Sequence, residues 1–264
     1  MDGKKLNKII AEIYRGFALW KSYKIWIISD IISTPFWIYF FILAFLIYAQ
    51  HLLNDKIILT NLMWGLFMFF FISSFLWMGT QIVTVVQQGI LENIILTNTR
   101  IITHMIGRGI VSVFDVIIGG IILLLMAYFT FNVSLYIADP VFFFIFLLLA
   151  IIFSINFATI YAALIIGIRS PWIVTNILQF IIPLFSGAIP LQLFQGSIAN
   201  TITFSPFYYV IGTVIASATG YYIMDKYLLL LISVTITLIV ILLSNYIEKV
   251  LIRRALKEGK FSLF

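Results

Sequence analysis

Apolar residues run along this chain in long unbroken blocks rather than in short alternating stretches. Six blocks are long enough to cross a bilayer: Ile25 to Ala49, Ile57 to Val86, Gly109 to Phe131, Val141 to Ile168, Trp172 to Pro190 and Leu228 to Tyr246. A hydrocarbon core about 30 Å thick requires roughly 20 apolar residues in a helix. A barrel strand would alternate polar and apolar over about ten residues, which these blocks do not. The pattern therefore predicts an all-α integral membrane protein with six transmembrane helices, read as one transmembrane unit over residues 1–264.

The segments between the blocks carry their own patterns. From Lys4 to Lys24, apolar residues fall at Leu6, Ile9, Ile10, Ile13, Tyr14, Phe17 and Trp20, with Lys and Arg mostly between them. A spacing of three or four predicts an amphipathic helix on the membrane surface; a basic anchor serving only topology is the alternative. The following block is longer than a signal-peptide core and lacks a small-residue cleavage site, so it is expected to be a retained span. Residues 191–226 are rich in Gly, Ser, Thr, Tyr and Phe, with Pro190 and Pro206 as breaks. That length is too short for two further spans and predicts short re-entrant helices shielded by protein.

Composition agrees with the pattern. Hydrophobic residues make up 63% and charged residues 10% of the 264, against roughly 25% charged in soluble domains. So little charge cannot cover a water-facing surface. Without cysteine, disulfides, thiol catalysis and Cys-ligated metals are excluded. The net charge of +6 is explained by placement. Of the 16 basic residues, 14 lie in the N-terminal segment, at Arg100, Arg108 and Arg169, and in the tail from 248 to 264; only Lys56 and Lys226 fall on the other side. By the positive-inside rule the basic side is cytoplasmic, which puts both termini there and the chain in the plasma membrane as a multi-pass protein. An even number of spans agrees.

Residues 87–98, Gln-Gln-Gly-Ile-Leu-Glu-Asn-Ile-Ile-Leu-Thr-Asn, form a cytoplasmic loop too apolar to be an idle solvated one. Ile90, Leu91, Ile94 and Ile95 would line one stripe of a short helix, beside Gln88, Glu92 and Asn93. Thr97 or Asn98 is placed to cap the helix that follows. Such a helix can lie in the lipid interface or dock in a partner's groove. Asp30 lies near the cytoplasmic start of span one, at the interface, whereas Asp115 sits about two turns into span three; a charge near mid-membrane costs roughly 2.5–3.5 kcal/mol on insertion scales. Asp115 should face protein, water or a cation such as Arg108 or Arg169, either as a buried hydrogen-bonded acid or as part of a coupling or substrate route. His51 and His104 fall at opposite membrane edges and cannot share a metal, so no metal site is expected. Phe is abundant, with runs at Phe67 to Phe71 and Phe142 to Phe146; any that line a route favour apolar or amphipathic cargo.

Gly89-Ile90-Leu91-Glu92 with Thr97, then Ile106-Gly107-Arg108, resembles the permease subunits of ABC-2 type exporters, whose G-x-L-E-x-L-x-x-T-P loop precedes a helix start bearing Gly and a basic residue. Ser186-Gly187-Ala188-Ile189-Pro190, Ser205-Pro206 and Lys257-Glu258-Gly259-Lys260 extend the resemblance along the chain. Asn98 stands where the family has Pro. The resemblance implies a transport subunit without enzymatic activity, exporting a hydrophobic or amphipathic compound such as a drug-like molecule or lipid. A lipid-linked polysaccharide is the alternative cargo. An ATPase-independent carrier or channel is the alternative class, although matched Gly/Pro breaks in two halves are lacking. It further implies a coupling helix (Gln88, Gly89, Ile90, Leu91, Glu92, Asn93 and Thr97) seated on a separate P-loop ATPase, with Arg169 in a second contact. The outer segment after span five would gate the exit. ATP and Mg2+ would bind that partner, since the chain has no G-x-x-x-x-G-K-[ST] loop; two permease copies, identical or related, would form the route from their second and fifth spans.

Overall fold

The structure is a computed structural model. It describes residues 3–22, 55–90, 99–132, 136–165, 170–191 and 197–258 continuously and isolated positions between them, with backbone alone at 3–6, 87, 197 and 251–258. The described chain is helical, and no strand occurs among the described residues. Its elements are α1 (Gly3–Ser22), α2 (Lys56–Gln87), α3 (Ile101–Phe131), α4 (Pro140–Ile165), α5 (Pro171–Phe185), α6 (Ser197–Thr203), a π-helical turn (Tyr208–Gly212) running into α7 (Thr213–Thr219), and α8 (Lys226–Glu258). The expected span Ile25 to Ala49 lies largely outside the described residues. Pro35 meets α3 at Gly119, and the rings of Tyr39 and Phe131 lie 6.2 Å apart.

Four helices, α2, α3, α4 and α8, are long and apolar enough to cross a membrane. With 26 to 33 residues each and a rise of 1.5 Å per residue, they reach about 39–50 Å, beyond the roughly 30 Å hydrocarbon core. Their ends must therefore project past it. On α8, Tyr227 and Tyr246 are both strongly exposed and stand about 28 Å apart along the axis, the spacing expected of aromatic anchors at two membrane–water boundaries.

α2 occupies the centre, with Met63, Met68, Phe71, Phe75 and Leu76 almost fully buried against α3, α4, α5 and α7. α3 and α8 instead turn broad aliphatic faces outward, including Ile117, Ile121, Leu231, Leu238 and Leu242. α2, α4 and α8 begin at one end of the bundle, each behind an aspartate. Asp55 accepts from Ile57 and Ile58 N–H, and Asp225 accepts from Tyr227 and Leu228 N–H. Asp139 holds Lys226 at 2.9 Å and accepts a long bond from Phe142 N–H. Carboxylates satisfy the orphan amides and suit the positive end of the helix dipole.

α5 is shorter than the apolar block Trp172 to Pro190 suggests, and too short to count among the four. α5 stops at Phe185, where Pro183 and the left-handed Gly187 (φ 76°) break the ladder. Its 15 residues reach only about 22 Å. The irregular segment that follows is buried at Ser186, Ala188 and Pro190. A Cβ on Gly65 would fall 1.8 Å from the Ala188 carbonyl oxygen, so only glycine lets α2 pass there. Residues 197–219 form short helices, and Val210, Ile211 and Val214 bury fully against α2, α4 and α8. The π turn frees the Tyr209 carbonyl, and the Ser233 hydroxyl of α8 donates to it.

Two buried polar clusters cross-link the bundle. Thr175 on α5 lies 2.6 Å from both Thr80 of α2 and Tyr161 of α4. Its own hydroxyl can donate to Pro171 O, leaving its lone pairs for the other two. Ser244 on α8 donates to Asn156 on α4 at 2.7 Å.

Candidate functional site

The candidate site is a polar layer at the end of the bundle where α2 finishes and α3 begins. It starts from α1. One face of this helix packs along the first four turns of α3, both running in the same direction: Glu12 beside His104, Gly16 beside Val111, Phe17 on Phe114 and Trp20 on Asp115. Gly107 makes this approach possible, because a Cβ there would come within 2.8 Å of the Glu12 backbone.

The buried His104 ring sits with Nδ1 2.8 Å from Glu12 Oε2. An ionised carboxylate only accepts, so Nδ1 carries the proton and donates. Nε2 is buried and has no hydrogen-bond partner among the described residues. The Glu12 carboxyl is held below its ordinary value, chiefly by this hydrogen bond and further by the positive charges of Arg15 and Arg108. Arg15 approaches Glu12 only at 3.8 Å. Arg108, half-buried on α3, donates to the neutral Gln81 of α2.

Asp115 is bonded by the Trp20 indole N–H at 2.7 Å. This bond arises from the α1–α3 contact rather than from a neighbour in sequence. Arg169, the other cation considered for it, lies outside the described residues.

The Gln88–Thr97 loop leaves α2 through Gly89, whose φ of 68° is left-handed and whose Cβ position is open. Ile90 is half-buried, Ile94 is 3% exposed and Leu96 is 79% exposed. Leu91, Glu92, Asn93, Ile95 and Asn98 lie outside the described residues, so the apolar stripe is seen only at Ile90 and Ile94. The Lys8 ammonium of α1 donates to Thr97 O at 3.1 Å.

Of the two residues expected to cap α3, Thr97 does not do so, and Asn98 lies outside the described residues. The Thr97 hydroxyl turns back to Ile94 O, and helix α3 starts only after Arg100. The cap is supplied by Glu248 of α8, a residue that reading along the sequence misses. Its Oε1 accepts the Ile102 N–H at 3.1 Å and its Oε2 accepts Arg100 Nη2 at 2.5 Å. Arg100 also donates to Asn245. The one legible signal was an acid and an amide on a single face of a long basic-ended helix.

A second polar feature lies on α5. Trp77 of α2 donates to Gln179 at 3.1 Å, and Gln179 donates to the exposed Asn176 at 3.2 Å. Trp77 stacks on Trp172 at 5.9 Å. Carboxamides on the outer face of an apolar helix would be expensive against lipid. No metal-ligating group of His, Asp and Glu occurs among the described residues.

The chain matches no protein-family model and no curated protein.

Proposed function

We propose that the chain is the permease subunit of an ATP-driven exporter of ABC-2 type, with six spans and both termini in the cytoplasm. The observation that carries this reading is the exposed Leu96. A large apolar side chain stands clear of the bundle on a short element tied back to α1 through Lys8 and Thr97. Such an exposed anchor suits a groove on a partner protein. The partner would be a P-loop ATPase carrying ATP and Mg2+, and the Gln88–Thr97 element, with Arg169 on the next cytoplasmic turn, would receive its push.

The polar layer supports a mechanical role. Force on this element reaches α1 through Lys8, and α1 is clamped to α3 by Glu12–His104 and Trp20–Asp115. α3 is clamped to α8 by Arg100–Glu248 and to α2 by Arg108–Gln81. A partner that closes on ATP can thus bias the arrangement of several helices together. The Asn176–Gln179–Trp77 chain supports a route on the α2–α5 face, completed by a second permease copy that would cover the amides. Flanked by Trp172, Ile177 and Phe180, that face suits a hydrophobic or amphipathic cargo. The segment after α5, buried at Ser186, Ala188, Val210 and Val214, would act as the re-entrant outer gate.

Gentle purification from the native membrane should bring down a P-loop ATPase, and Leu96→Asp should abolish its association while the bundle stays folded. Transport that continues undiminished after ATP depletion would exclude the exporter reading.

A further inference from the structure

α1 and α2 both pack extensively on α3 but touch each other marginally at most. α3 is thus the floor that the two flanking helices share. Arg108 stands on that floor, just before the apolar run Gly109 to Phe131, where the helix enters hydrocarbon. Gln81 marks the α2 side, and Arg15 and Glu12 mark the α1 side.

Among the described residues the charges here do not balance. Glu12 is the carboxylate that meets Arg15, at 3.8 Å, and also lies near Arg108, and its short bond is spent on His104. Among the described residues, Arg108 hydrogen-bonds only the uncharged Gln81, leaving most of its five donors available. A guanidinium taken half out of water at a membrane edge requires an anion or a dense set of acceptors. Two guanidiniums, one from α3 and one from the adjoining α1, suit the fork geometry of a phosphate. The surroundings are those of a lipid. The outward face of α1 carries exposed Ile10 and Tyr14, with Lys21 at its end, and α3 continues above Arg108 with exposed Phe114, Ile118 and Ile121.

We propose that the α1–α2–α3 junction binds the phosphate headgroup of an anionic phospholipid between Arg15 and Arg108, with its acyl chains on the outer face of α3. Basic pockets between membrane helices take such headgroups, at about 1 kcal/mol per cation. The lipid would serve as the third partner in the α1–α3 clamp, fixing α1 where Glu12 alone cannot neutralise both arginines.

The test uses the full-length protein, delipidated in a neutral detergent and titrated with vesicles or mixed micelles. One set contains phosphatidylglycerol and another contains phosphatidylcholine alone; a third arm adds inorganic phosphate. Thermal unfolding and native mass spectrometry provide the readouts. Phosphatidylglycerol should bind and raise the midpoint, with phosphatidylcholine and inorganic phosphate giving little. Arg15→Gln and Arg108→Gln should each weaken the response about fivefold, while Arg108→Lys retains part of it and Lys56→Gln, at the far end of the bundle, changes nothing. Arg15 is half exposed, so its variant keeps the test valid even if Arg108→Gln fails to fold. Equal stabilisation by phosphatidylcholine would overturn the proposal. So would an undiminished response in Arg15→Gln, or saturation by inorganic phosphate alone.

Discussion

Glu248, near the end of the last long helix, caps the start of α3: its carboxylate accepts the Ile102 N–H at 3.1 Å while holding the Arg100 guanidinium at 2.5 Å. One buried side chain thus fixes the height of α8 against α3 and settles where α3 begins. The charge of Arg100 lies half in solvent, so its Coulomb share is screened. Most of the contribution comes from satisfying a buried amide. Glu248→Ala is expected to cost about 1–3 kcal/mol, read as a lower unfolding midpoint in detergent with faster hydrogen exchange at the first turn of α3. Glu248→Gln should cost less, because it keeps an acceptor. Unchanged exchange in Glu248→Ala would remove the tertiary cap from the account.

The Glu12–His104 contact makes α1 docking pH-dependent. The folded-state carboxyl titrates below its ordinary value of 4.5, with the His104 hydrogen bond as the main cause. A depressed acid contributes stability above its unfolded value and loses it as pH falls through the folded value. α1 should therefore loosen from α3 below about pH 4.5, seen as rising exchange in residues 8–20 and a change in Trp20 fluorescence. Glu12→Gln should show the loosened state already at neutral pH, with this acid transition gone.

Thr175 is the hub of the buried hydroxyl cluster. Thr175→Val strips Tyr161 and Thr80 of a shared partner, whereas Tyr161→Phe removes one bond and leaves no new orphan. Thr175→Val is expected to cost about 1–3 kcal/mol. Tyr161→Phe should cost about 0.6 kcal/mol, near the average for hydrogen bonds between membrane helices. Paired thermal melts check this order; reversal would mean that packing volume outweighs the hydrogen bonds.

Two glycines should respond oppositely to alanine. At Gly65 a methyl would collide with the Ala188 backbone, so the outer segment must move, at about 1–3 kcal/mol or more. At Gly89 the space is open and only the left-handed φ resists, which costs about 1–2 kcal/mol locally. Global stability should fall in Gly65→Ala. Gly89→Ala should leave the bundle intact and disturb partner association.

Asn176→Leu replaces an exposed carboxamide with a side chain that lipid solvates well. The isolated protomer should be as stable as the wild type, or more so, while self-association and transport fall. Full transport by this variant would remove the α2–α5 face from the proposed route.

The apolar blocks by themselves determined the helices, because in a bilayer each backbone polar group must be satisfied within its own segment. Local composition therefore placed both ends of α2 and α4 to within a few residues, but missed the polar extensions of α3 before Gly109 and of α8 beyond Tyr246. It also marked the amphipathic face of α1, set by period alone. Contacts between distant residues were illegible. The start of α3 depends on Glu248, which lies 146 positions beyond Ile102. Asp115 is answered by Trp20 across 95 positions. α5 ends short of its apolar block because Pro183 and the left-handed Gly187 break its ladder, and the chain beyond it passes closely over Gly65, neither of which hydropathy registers. Lipid-facing side chains are nearly interchangeable, so sequence pattern decided how much of the chain is helix. Which polar groups met at the end of the bundle was decided only by packing, through the few places where glycine lets two backbones approach.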